Sequence, residues 1–71
     1  MSNHHTYRKI EIVGSSPISS DDAIRNALAQ CSETIDNMDW FEVIETRGHI
    51  INGHIGHFQV TLKVGFRLEN S

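Results

Sequence analysis

The sequence predicts an α+β fold in the order β-α-β-β, with a three-stranded sheet and one helix on its apolar face. Three observations carry this. Phe58, Val60, Leu62, Val64, Phe66 and Leu68 alternate unbroken with His57, Gln59, Thr61, Lys63, Gly65 and Arg67, as a strand with one buried and one polar face does. Just before it, Asn52-Gly53 is the commonest two-residue type I′ hairpin turn, because both residues tolerate positive φ. Upstream, Ile24, Ala27, Leu28, Cys31, Ile35 and Met38 follow helical spacing on one stripe.

Thr6 to Val13 reads as the first strand, with Ile10 and Ile12 on one face and Tyr7, Lys9 and Glu11 on the other; Gly14-Ser15-Ser16-Pro17 ends it. The polar stretch before it, Met1 to His5, reads as a frayed end rather than a metal site. Ser19 is placed to cap the helix, with Asp22 at capping-box spacing, and Asp21 and Asp22 suit the positive end of the helix dipole. The helix is expected to close around Asp36 to Met38. A strand–helix–strand unit makes its strands parallel with a right-handed crossover. The third strand then lies between the first two, antiparallel to both, giving the order 1-3-2.

Counting outward from Asn52-Gly53 sets the hairpin register. Ile51 faces His54, Thr46 faces Gln59, Val43 faces Leu62, Glu42 faces Lys63, Phe41 faces Val64 and Trp40 faces Gly65. Opposed residues share a face. Phe41 and Val43 therefore join the buried face, and Trp40 falls on the polar face over a glycine. The same register puts Glu45 and Arg47 opposite Val60 and Phe58 on the apolar face. That conflict calls for a bulge, a bend or another subunit near Gly48. It also sets His49 opposite Gly56 and His57 opposite Gly48, on opposite faces, so no metal site is expected from the histidines.

A chain of 71 residues reads as one domain, residues 1–71. A domain this small often needs added support. Cys31 is the only cysteine, so no internal disulfide forms, and no tetrahedral Cys/His zinc motif is present. Oligomerisation or a ligand remains. The net charge of −3 argues against nucleic acid. No apolar run is long enough to span a bilayer and no signal sequence opens the chain, so the expected location is cytoplasmic and no membrane partner is expected. Cys31 lies in the helix stripe and no nucleophile–base pattern appears, so no catalytic residue is assigned.

Trp40 admits two readings. It plugs an oligomer interface, where tryptophan is enriched, or it forms a wall for a planar ligand whose polar edge Gln59 reads with its amide donor and acceptor. Both share the non-core face with Ile44, Thr46, Thr61 and Lys63. Roughly 20 Å of strand, at about 3.3 Å per residue, separates Trp40 from Gln59. They meet around one ring system only if a neighbouring subunit brings its Gln59.

TYRKIEIVGSSP, SSDDAI, DWFEV, RGHI and HFQVTLKVGFRLE together resemble a bacterial dodecin over essentially the whole length. The resemblance implies a sheet wrapped around one helix and a hollow homododecamer. It implies non-covalent flavin binding, with FMN favoured over riboflavin or FAD. Two flavins would stack between Trp40 and its copy while Gln59 bonds the isoalloxazine edge. Arg47 matches a position implicated in the flavin site, and Arg67 one linked to phosphate or coenzyme A. The implied role is storage and sequestration with quenched photochemistry, not turnover. A structural oligomer without ligand and a flavin-dependent enzyme stay open as alternatives.

Overall fold

Four elements follow one another in the computed structural model, which describes residues 4–69. They are β1 (Tyr7–Ser16), α1 (Ser20–Cys31), β2 (Met38–Ile51) and β3 (His54–Arg67). The sheet order is β1-β3-β2, with β3 antiparallel to both neighbours, as the connectivity rules predict. Residues 1–3 of the expected frayed end lie outside the described residues, while His4 and His5 are exposed. Among the described residues no helix is long and apolar enough to cross a membrane.

β1 runs past Gly14, which sits within the strand rather than ending it. A Cβ built on Gly14 would come 2.2 Å from the Ala23 carbonyl oxygen and 2.8 Å from the Ala27 Cβ. Glycine is needed there so that α1 can lie directly on the strand. Ser19 caps α1 as expected, its hydroxyl accepting from the Asp22 N–H at 3.0 Å. Ser16 is buried beneath this end; its hydroxyl donates to Asp22 Oδ2 at 2.6 Å and accepts from the Ile18 N–H at 2.9 Å.

The helix is shorter than its apolar stripe. It ends at Cys31, and Ile35 and Met38 are not helical. Ser32, Glu33 and Thr34 form tight turns, with the Ser32 hydroxyl donating to the Ala29 carbonyl at 2.8 Å. Serine and threonine compete for backbone groups in this way and weaken helix interiors. Asn37 then takes φ 64°, turning the chain so that Met38 opens β2.

The hairpin turn is as predicted, with Asn52 at φ 51° and Gly53 at φ 78°. The register beyond it is not. Ile50 faces Ile55 but His49 faces His57, so Gly56 is an extra residue on β3. Val43 faces Leu62 but Glu45 faces Thr61, so Ile44 is an extra residue on β2; a third shift falls at Asp39. Each bulge changes the pairing by one residue, and a one-residue slip moves every side chain to the other face. Between the two inner bulges Thr46 faces Val60 and Arg47 faces Gln59. Glu45 and Arg47 thereby leave the apolar face where uninterrupted counting put them, and Thr46 loses its place opposite Gln59. His49 and His57, expected on opposite faces, are direct partners.

Val60, Leu62, Val64, Ala23 and Ala27 form the core, with Ile10, Ile12, Ile24 and Leu28 around them. The helix packs mainly on β1 and β3. Phe41 and Val43, expected to be buried, stand on the helix side of the sheet but remain 44% and 46% exposed. The molecule measures 58 × 21 × 13 Å with a radius of gyration of 14.9 Å, against about 11 Å for a compact domain of this length. The elongation comes from the hairpin, whose end beyond Phe58 has no β1 beside it.

Candidate functional site on the uncovered sheet face

The face away from α1 carries a continuous polar and aromatic surface, made continuous by the bulges. On β3 it presents His57, Gln59, Thr61, Lys63, Gly65 and Arg67. The β2 partners of the first five are His49, Arg47, Glu45, Glu42 and Trp40, in the same order along the sheet. On β1, Ser15, Val13, Glu11, Lys9 and Tyr7 complete the rows.

Trp40 lies flat on the sheet. A Cβ on Gly65 would meet Cε2 and Cζ2 of the indole, each at 2.3 Å. The glycine therefore seats the ring against backbone. Tyr7 closes one edge, with ring centroids 5.1 Å apart and planes at 63°, an edge-to-face geometry. The indole is 40% exposed, so a large aromatic surface faces outward from a fixed seat.

Beside it Lys9 pairs with Glu42 across β3. The Lys9 hydrogen bond and charge, aided by the charge of Lys63, hold the Glu42 carboxyl below its ordinary 4.5. Both side chains are half exposed, so the pair orders the surface more than it stabilises the fold.

Gln59 stands at the other end of the face, half-buried between Arg47 on β2 and Ser15 on β1. Arg47 is exposed, its Nη1 lying 3.9 Å from Glu45 Oε1. Arg67 is at the Trp40 end, opposite Tyr7, and its backbone N–H donates to the Asn37 carbonyl at 3.0 Å. The four residues singled out from sequence thus fall into two groups, Trp40 with Arg67 and Gln59 with Arg47. One chain does not bring the groups together.

Sequence reasoning missed Tyr7 as a partner of Trp40 and Lys9 as a partner of Glu42. Strand parity put Tyr7 and Lys9 on the correct face of β1, but which β2 residue each meets depends on the β1–β3 register, and no tight turn reveals that register. On the opposite side of the molecule, Ile10, Ile12, Gly14, Ala27, Cys31 and Ile35 line an open groove of about 600 Å³ between α1 and β1. Cys31 is buried there, as a small core residue. Among the described residues no group of three or more His, Cys, Asp or Glu is arranged to hold a metal ion.

The family model for dodecin matches residues 6–69. Dodecin from Thermus thermophilus is 46% identical over 65 residues, 92% of this chain and 94% of that protein. The structure superposes on dodecin from Streptomyces davaonensis with a TM-score of 0.91 at 56% identity, covering 97% of this chain and 100% of that one. Dodecin from Streptomyces coelicolor gives a TM-score of 0.91 at 55% identity, with both chains fully covered. More distant is the calcium dodecin of Mycobacterium tuberculosis, described as calcium chelating, with a TM-score of 0.79 at 28% identity over 93% of this chain and 94% of that one. Fold order, strand topology and the extent of these matches agree: the chain belongs to the dodecin family.

Proposed function

We propose that this protein binds FMN non-covalently in a homododecamer, storing and sequestering the flavin rather than turning it over. The observation that carries this reading is the seating of Trp40. A tryptophan laid on a glycine, braced by Tyr7 and open on its outer side, is a preformed wall for a flat ring system. Aromatic stacking of that kind adds about 0.5–1.5 kcal/mol beyond area burial. On this reading two flavins stack as a pair between Trp40 and its copy in a neighbouring subunit. The neighbour's Gln59 bonds the isoalloxazine edge, and Arg47, beside Gln59, meets the flavin phosphate. A guanidinium suits phosphate by its planar fork of donors. Arg67 is assigned to a second phosphate ligand, coenzyme A, on the assembly.

Assembly is supported by surface. The chain exposes 5227 Å² at 8.0 kDa, whereas a folded monomer of that mass exposes about 4,450 Å². The excess is close to the roughly 800 Å² that each partner contributes to a standard interface. Exposed Phe41, Val43, Ile44, Ile50, Ile51 and Ile55 account for its apolar character.

The test is an FMN fluorescence titration of wild type and Trp40→Ala, each first sized on a column. Strong quenching by wild type, lost in an intact Trp40→Ala oligomer, is the expected result. Loss of assembly in the variant would make Trp40 an interface residue instead. Turnover of a reductant and acceptor faster than with free FMN would favour a flavin-dependent enzyme.

A further inference from the structure

The Gly56 bulge has a chemical consequence. It makes His49 and His57 direct cross-strand partners on the face of the hairpin away from α1. Directly opposed residues in an antiparallel pair hold their Cβ atoms about 4.5–5.5 Å apart on one side of the sheet. From that spacing two imidazoles can each place a ring nitrogen at the roughly 2.0–2.1 Å that zinc requires. Both histidines are exposed, and within the described residues no hydrogen bond or ion pair engages either ring.

Gly56 itself shows why the arrangement holds. A Cβ there would come 2.3 Å from Ile51 Cδ1, so the isoleucine side chain lies over the bulge and would have to shift to admit any larger residue. Without the bulge, His49 would face Gly56 and the two rings would part to opposite faces.

We infer that His49 and His57 form a two-imidazole chelate for a divalent transition metal of the copper, nickel or zinc type, with water completing the coordination. Imidazole nitrogen suits these ions, whereas calcium and magnesium take oxygen ligands. The nearest charge on the same face is Arg47, one pair further along, which opposes a cation; Glu45, 3.9 Å from Arg47, offsets it. His54, opposite Ile51 near the turn, is not part of the chelate.

Calorimetric titration of the intact wild-type chain with Zn²⁺, without flavin, tests the inference. Saturable binding is expected, weakened at least about tenfold in His49→Ala and in His57→Gln. His54→Ala and a His4→Gln/His5→Gln double variant are expected to bind as wild type does. All five positions are exposed, and sizing with far-UV circular dichroism checks that each variant keeps the wild-type fold. Bound Cu²⁺ should show nitrogen coupling in its electron paramagnetic resonance spectrum that is lost in His49→Ala. Absence of binding by wild type overturns the inference. So does equal binding by His49→Ala, or loss confined to the His4→Gln/His5→Gln variant. None of these outcomes bears on flavin binding, which the titration leaves out.

Discussion

Gly65→Ala tests the seat under Trp40 without touching the indole. The added Cβ would lie 2.3 Å from Cε2 and Cζ2 and 2.5 Å from Cη2. Ordinary carbon contacts begin near 3.5 Å, so the ring must retreat by about 1 Å or swing away from the strand. The backbone has no need to move, because a 40% exposed side chain can yield. The stability cost should therefore fall at the low end of overpacking, about 1 kcal/mol. The cost to binding should be larger in proportion. If the displaced indole forfeits the stacking increment of about 0.5–1.5 kcal/mol, FMN affinity drops roughly 2- to 12-fold, at about 1.4 kcal/mol per factor of ten. The chain has a single tryptophan, so its emission reports this ring alone. Gly65→Ala should shift that emission and weaken FMN quenching while the oligomer elutes unchanged. Unaltered emission together with wild-type FMN affinity would refute the claim that the glycine seats the ring.

Gly14→Ala should behave in the opposite way, since the atom in its path is the Ala23 carbonyl oxygen and backbone cannot swing aside. Lifting α1 off β1 is expected to cost at least the 1–3 kcal/mol typical of overpacking, read as a lower denaturation midpoint with FMN stoichiometry kept in the folded fraction. Ser19→Ala removes the acceptor for the Asp22 N–H and should cost about 1 kcal/mol, measured by denaturant unfolding. The Glu42 carboxyl is held below 4.5 by Lys9, so its contribution is complete above that value and is lost as pH falls through the depressed folded value. Acid titration of stability should accordingly show a shallower fall below pH 4.5 in Glu42→Gln than in wild type.

Topology was legible because each of its signals is local: the unbroken alternation of β3, the Asn52-Gly53 turn and the Ser19 cap. Register was not. A count outward from the turn assumes one residue on β2 for each on β3, and Gly56 and Ile44 each break that rule on a different strand. From Trp40 to the turn, the first insertion is undone by the second, so over that stretch the count fails only between them, in the interval that holds Glu45, Thr46, Arg47 and His49. The sequence did signal the fault, since two charged residues fell among apolar partners. It could not say on which strand the extra residue lay, because a glycine at 56 and an isoleucine at 44 carry no common mark. The end of the helix was hidden for another reason. Ile35 and Met38 keep helical spacing while lying half-buried in the connecting segment and in β2, so their apolar character reports burial and not conformation.

The exposure of Phe41 and Val43 has a geometric cause. Strands lie about 4.8 Å apart and a helix with its side chains is about 10–12 Å across. One helix can therefore roof two strands, and α1 roofs β1 and β3. The apolar residues of β2 continue the pattern of the buried face past the reach of its cover. A chain that folded alone would gain nothing from apolar side chains there. Val43→Asp separates the two roles. Val43 is 46% exposed, so within one chain the charge remains solvated and α1, β1 and β3 should keep their structure. Against a neighbouring copy the same carboxylate would be buried without a partner, at several kcal/mol. The expected result is a folded, smaller species by light scattering, with far-UV circular dichroism close to wild type. Val60→Asp, at a fully buried position, should instead unfold the chain. A Val43→Asp protein that keeps its wild-type mass would show that β2 meets no neighbour at Val43, and the apolar run from Phe41 would need another explanation.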